Sequence, residues 1–327
     1  VELIKSGEGK QLQLTSTGTP GFTGVAYGNG RFVGIGHDNA RAYYSRNGKD
    51  WSYSTMPITS GYNANCIVFG MGKFIVGGND GCLYLSPDGS AWAKITPPTP
   101  GIYWAKAVFG NGTFVMLGHD GEVAYSFNGQ TWFDGNNTGA WFPLAVSYAD
   151  GKFVICGGSP WATITACSTD NGMNWTNGEL PAACTFQNAL CYGNGYFVAL
   201  LYSGLSVRST DGVHWEQGNL PHKATLWLSI GFGNGIFVAA DYWQNLATST
   251  DGITWNLIPT VNGQWSHVLY DGVTFLILGD NYGLHLTSPD GLTWTSHNDG
   301  FGYFYTDAIT ESGIIVALGN RIVSGRI

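Results

Sequence analysis

The sequence predicts an all-β protein: a β-propeller of eight four-stranded blades closed by pairing of its N- and C-terminal segments. Three observations predict it. A tryptophan recurs at Trp51, Trp92, Trp132, Trp175, Trp215, Trp255 and Trp294, in steps of 41, 40, 43, 40, 40 and 39 residues. Each closes a Ser-x-(Asp/Asn)-Gly-x-x-Trp turn, with one extra residue in the fourth copy, Ser168–Trp175. Between these turns lie an aromatic, a Gly-rich hairpin turn and an apolar run, as in Phe109-Gly110-Asn111-Gly112 before Phe114. A period near 40 with several short strands per unit is the mark of a propeller. One blade alone leaves its sheet faces uncovered, so neighbours must stack.

The strands of each blade, A to D from inside outward, follow in order. The A strand ends in an aromatic at a turn such as Tyr27-Gly28-Asn29-Gly30, Tyr192-Gly193-Asn194-Gly195 or Phe232-Gly233-Asn234-Gly235. Asn-Gly between apolar runs is a strong hairpin signal. The B strand follows, then a polar loop, the C strand, the Ser-x-Asp-Gly turn and the D strand. Blades are expected at about 20–60, 61–100, 101–140, 141–183, 184–223, 224–262 and 263–301, with an eighth at 302–327 completed by 1–19, all in one domain.

The N-terminal stretch reads as the outer part of that eighth blade, with Leu12 in the tryptophan's place and the D strand in residues 11–17. Its C strand is open between Val1 to Ile4 and Arg321 to Ser324. Joining the chain ends in one sheet removes free edges. Seven blades is the alternative, and it leaves about one blade of strands unassigned.

Composition fits many short strands and uncharged turns: 49 glycines, 14% aromatics and 11% charged residues. A net charge of −8 with scattered Lys and Arg gives no basic patch, so nucleic acid is not an expected partner. No apolar run reaches membrane-spanning length, so no membrane insertion is expected. The six cysteines show no CxxC pairing and read as buried free thiols, with a Cys156–Cys167 disulfide as the alternative.

The repeated turns read as structural. The Asp or Asn accepts backbone N–H bonds, the Gly supplies a backbone shape closed to other residues, and the Trp packs on the neighbouring sheet. Each turn has one carboxylate, and two copies carry Asn47 or Asn128, so no metal is expected. The glycine turns lead into strands rather than helices, so they hold no nucleotide, and no cofactor is implied.

Ligand candidates come from the other end of the blades, where the D-to-A and B-to-C loops meet. Aromatics recur at the starts of the A strands: Phe22, Trp104, Phe142, Phe186, Trp227, Trp265 and Phe304, with Tyr103 and Trp141 beside them. Such a repeat reads either as packing between blades or as a ligand surface. The B-to-C loops add His37, Asp38, His119, Asp120, Trp161, Asp241, Tyr242, Trp243, Asp280 and Tyr282. Rings flanked by Asp, Asn and His suit a sugar, whose C–H face stacks while its hydroxyls find acceptors. The loop carboxylates fall at equivalent places in successive blades, which argues against a unique catalytic pair, and no catalytic residue is assigned.

The Ser-x-Asp-Gly-x-x-Trp turns resemble the Asp-boxes, or BNR repeats, of sialidase-type propellers, across essentially the whole chain. The resemblance implies a structural role for the boxes. The family's sialidases use an arginine cluster and a Tyr–Glu pair. The six arginines here match no such cluster, so sialidase activity is not implied. The fuller repeat is similar to that of bacterial and bacteriophage proteins, some tail-associated. It implies a non-enzymatic binding or structural protein, extracellular or on a virion, that recognises a cell-surface glycan or another virion or envelope protein. A glycoside hydrolase or lyase and a purely structural assembly factor are the alternatives.

Overall fold

The computed structural model describes residues 17–18, 22–36, 40–159, 162–181, 186–201, 204–221, 226–259, 263–279, 284–298, 305–311, 314–319 and 321–326. The fold is all-β, with eight four-stranded antiparallel sheets, the blades of a β-propeller. The first sheet is typical: A is Phe22–Gly28, B Arg31–Gly36, C Arg41–Ser45 and D Ser52–Thr55. The next six span 64–95, 104–135, 143–177, 186–219, 227–258 and 265–298 in the same A-B-C-D order.

The eighth sheet joins the two ends of the chain. Tyr305–Glu311, Ile314–Gly319 and Arg321–Arg326 are its A, B and C strands, and Thr17–Gly18 pairs with Ile322 and Arg321 as its D strand. Of the two candidates for the C strand, the sheet takes the one beginning at Arg321. The N-terminal turn at Ser6–Gly9 and Leu12 lie outside the described residues.

The chain packs as two compact units. One comprises Val1–Pro143, Ser168–Trp175 and Thr306–Ile327, and the other Leu144–Cys167 and Thr176–Tyr305. In both, the B strands are the most buried elements. Phe32, Val33 and Ile35 have no exposed surface in the first unit, nor do Phe197 to Leu201 in the second. That burial on both faces explains why the B strands read as continuous apolar runs.

The seven turns close in one way. The indole N–H of each Trp donates to the carbonyl of its own box glycine, from Trp51 to Gly48 at 2.6 Å through Trp294 to Gly291 at 3.1 Å. In six boxes the Ser hydroxyl accepts the glycine N–H, as Ser249 does from Gly252 at 2.8 Å. The Asp or Asn accepts the next free N–H groups, as Asp251 does from Ile253 and Thr254. The box glycine also touches the preceding sheet. A Cβ on Gly252 (φ +75) would lie 2.5 Å from Val198, so the position needs glycine for its backbone and its space.

Neighbouring sheets are also joined at their A–B turns. Asn194 donates its side-chain amide to the carbonyls of Gly235 and Thr250, at 2.7 and 2.9 Å. Asn29 does the same to Gly72 and Pro87 in the other unit. Each turn asparagine sits in the left-handed region, with φ of 48° at both positions. The glycine ahead of it carries the next sheet's aromatic on its face: Phe69 on Gly28 and Phe232 on Gly193.

The cysteines Cys66, Cys82, Cys156, Cys167 and Cys191 are free thiols, and Cys184 lies outside the described residues. Burial pushes the Cys66 and Cys191 thiols up to about 12 and Cys167 to about 11. These groups are packing atoms rather than nucleophiles.

Candidate binding surface at the loop ends

Because A–B and C–D turns share one end of each sheet, the B–C and D–A loops share the other. His37, Asp38, Trp161, Asp280 and Tyr282 of the expected ligand set lie outside the described residues. The rest divide by burial.

Trp104, Trp227 and Trp265 have no exposed surface. Trp104 lies in a core with Cys66, Ile75, Phe114 and Met116, and Trp265 in one with Val238, Ala240 and Phe275. This corrects the expectation that they face a ligand. Each begins an A strand just before a bulge, such as the shift between Trp104 and Lys106, and its ring is driven into the gap beside the preceding sheet. The cause is packing: Gly77 of that sheet leaves room for the Trp104 side chain.

Asp241 is also corrected. It is fully buried, and its carboxylate accepts the N–H groups of Trp243 and Asn245 and the Asn245 amide. It shapes the loop that presents Tyr242 and Trp243. Those two rings meet edge to face at 5.2 Å, and Trp243 is 57% exposed.

Asp80, at the matching place in the second sheet, is similarly engaged. Its side chain is 2% exposed, bonded by the Tyr84 hydroxyl and the Cys82 N–H, with Lys94 Nζ 3.6 Å away. Burial works to raise its carboxyl, but these bonds outweigh it and hold it below the ordinary carboxylate value. The same pairing raises the Tyr84 phenol, burial acting first.

The third sheet is different. His119 stacks edge-on between Tyr103 and Phe142, at centroid distances of 5.4 and 3.8 Å, and its Nδ1 lies 3.1 Å from Asp120. Asp120 is exposed. Tyr103, Trp141 and Phe142 are 45%, 57% and 44% exposed. Phe142 departs from the aromatic repeat by one position: Pro143 begins the strand, and Phe142 turns outward at φ 51°. A one-residue offset moves a side chain to the other side of the strand. The signal present in the sequence was the spacing: Phe142 precedes its turn aromatic Tyr148 by six residues, where Phe22, Trp104, Trp227 and Trp265 precede theirs by five.

Among the described residues, no group of His, Cys, Asp and Glu could hold a metal, and no helix is long and apolar enough to cross a membrane.

The geometry defines a propeller with exposed rings on its loop ends. No protein-family model matches the chain. No curated relative matches it in sequence. Solved structures match it in fold. The computationally designed Ika8 protein superposes with a TM-score of 0.75 at 11% identity, covering 98% of this chain and 100% of its own. YCF48 bound to D1 peptide gives 0.63 at 15%, covering 83% and 93%. Virginiamycin B lyase from Staphylococcus aureus gives 0.62 at 11%, covering 80% and 94%. One fold thus serves a designed protein, a peptide-bound protein and a lyase, so the fold by itself selects no function.

Proposed function

We propose that the protein is a non-enzymatic binding propeller that recognises carbohydrate through the rings on its loop ends, as a virion tail or receptor-binding component directed at a cell-surface glycan. One observation carries this reading: the exposed rings of Tyr103 and Phe142 pack on His119 beside Asp120, and exposed Trp141 precedes Phe142 in the chain. Flat apolar rings beside an acceptor suit a pyranose. Trp243 and Tyr242 repeat the pattern in the other unit.

The test is a glycan-array screen followed by calorimetry on the best ligand. Binding that falls at least about tenfold in Trp141→Ala or Trp243→Ala supports the reading. Failure to bind any glycan, together with capture of an envelope or virion protein lost in the same variants, would replace carbohydrate by a protein partner. The presence of this fold in a peptide-bound protein favours that second reading. The lyase of the same fold keeps a hydrolase or lyase reading testable: turnover on a polysaccharide panel, lost in Asp120→Asn, would establish it.

A further inference from the structure

On the turn end of the first sheet, away from the loop-end rings, lies an open cavity of about 260 Å³ lined by Arg31, Tyr44, Arg46, Asp50 and Ser52 among others. Arg31 is held in place there. Its Nη1 donates to the Asp88 carbonyl at 3.0 Å and to the Asp88 carboxylate at 3.2 Å, and its guanidinium lies over the Tyr44 ring at 5.3 Å. Among the described residues its Nε and Nη2 donate to no protein group. That edge is the fork that takes a carboxylate through two parallel bonds.

The second unit contains the filled version of this arrangement. Arg208 donates through Nη1 to the Asp251 carbonyl at 2.9 Å and lies over the Tyr196 ring at 4.4 Å. Arginine and tyrosine have exchanged strands. Arg31 and Tyr196 precede the matched Phe32 and Phe197, while Tyr44 and Arg208 precede the matched Ser45 and Ser209. The Nε and Nη2 edge of Arg208 is occupied by one carboxylate oxygen, Glu216 Oε2, which accepts from both at 3.0 and 2.9 Å. Glu216 pairs with Arg208 on the D strand, and the residue at that place in the first sheet is Ser52, paired with Tyr44.

We infer that the cavity beside Arg31 is a carboxylate-binding site, in which an external carboxylate takes the place that Glu216 fills at Arg208. Arg46 strengthens the site. It stands where the other boxes carry Pro87, Phe127, Thr169, Thr210, Thr250 or Pro289, and among the described residues it forms no ion pair or hydrogen bond. Asp50 also lines the cavity, but among the described residues it pairs with neither arginine; its Oδ2 accepts from the Asn47 amide at 2.8 Å. In a chain of net charge −8, two arginines meeting at one cavity are not a product of general basicity. The carboxylate comes either from a small acid or from an acidic side chain of a partner, and both present the same two oxygens.

The experiment follows the arginine Nε–H signals of the isotope-labelled protein by NMR during titration with sodium acetate, sodium phosphate or the capped peptide Gly-Glu-Gly. Sodium chloride at matched ionic strength is the control. The Arg31 signal is expected to move saturably with acetate and not with chloride. Ser52→Glu supplies the carboxylate from the chain itself. It should move the signal toward the bound position and weaken acetate binding at least about tenfold. Arg31→Lys, which keeps the charge without the fork, should abolish the saturable acetate shift of the neighbouring Arg46 signal, and an Arg46 shift unchanged from the wild type would overturn the inference. Tighter binding of the peptide than of acetate assigns a partner's side chain, and equal binding a small acid. An absent or chloride-like response, a Ser52→Glu protein that titrates as the wild type, or saturation by phosphate without acetate each overturns the inference.

Discussion

The side-chain amide of Asn194 donates to the backbone carbonyl of Gly235 at 2.7 Å, tying one sheet's A–B turn to the next. A second bond, to Thr250, reaches the neighbour's box. One residue therefore fixes two turns that lie 41 and 56 positions away in sequence. Loss of both bonds in Asn194→Ala is expected to cost about 1–2 kcal/mol, read as a lower urea midpoint. Met71 holds the same left-handed turn position (φ 47°), is 53% exposed and offers no amide. Met71→Asn is expected to raise the midpoint, because asparagine tolerates that backbone shape and brings a donor. An unchanged midpoint in both variants would remove the turn asparagines from the account of stability.

The box tryptophans and the A-strand tryptophans should respond differently to loss of the indole nitrogen. Trp255 donates to Gly252 at 3.1 Å and to Ser206 Oγ at 2.9 Å, while that same hydroxyl donates to Gly252. Trp104 Nε1 is buried and meets no acceptor among the described residues. Trp255→Phe breaks a satisfied buried set and is expected to cost about 1–3 kcal/mol beyond the packing lost. Trp104→Phe loses packing alone. Equal losses in denaturant midpoint would show that ring volume, rather than the hydrogen bonds, sets the cost.

Stability should fall in acid because of the boxes. Burial acts to raise Asp251, but the N–H groups of Thr254 and Ile253, aided by the Ser249 hydroxyl, hold it at about 2. Asp290 sits at about 2 for the N–H groups of Thr293 and Leu292. An unfolded aspartate titrates at about 3.9. A depressed folded value gives stability that is complete above the unfolded pKa and lost as pH falls through the folded one. The melting temperature should therefore hold steady down to about pH 4 and drop toward pH 2. Asn128 already accepts the Gln130 and Thr131 N–H groups at 2.8 Å, so Asp251→Asn should fold and flatten part of that drop.

Close packing makes the glycine before the turn intolerant. A Cβ on Gly193 would enter the Phe232 ring of the next sheet. Gly193→Ala is expected to destabilise by about 1–3 kcal/mol, since the ring cannot move without leaving its contact with Phe237. Gly195, whose Cβ direction is open, is the contrasting position for separating lack of space from backbone shape (φ +83).

Much of the architecture was legible because repetition samples one local rule many times. The Trp spacing gave seven of the eight blades, and the Ser, Asp and Gly of the boxes have the partners their chemistry implies. The asparagine ladder was also written there, at Asn29, Asn111, Asn194 and Asn234, but its partners lie in another sheet. The ligand candidates divided less well. Trp104 and Trp243 look alike as loop-end aromatics, yet one is sealed in the core and the other is 57% exposed. A bulge just after Trp104, between it and Lys106, accompanies its inward turn. Phe142 lies one position outside the repeat and turns outward; its six-residue count to Tyr148 shows the offset, but Phe186 has the same count to Tyr192 and begins its strand, so the count does not say which way a ring turns.

By itself the sequence determined the strand period, the four-stranded unit and the box chemistry, because these depend on groups within a few residues of one another. Only the tertiary structure decided which strand completes the eighth sheet, which rings reach solvent, and that Arg31 keeps an open fork where Arg208 has Glu216. Those outcomes depend on pairing between distant segments, where a shift of one residue exchanges buried for exposed and leaves local composition unchanged.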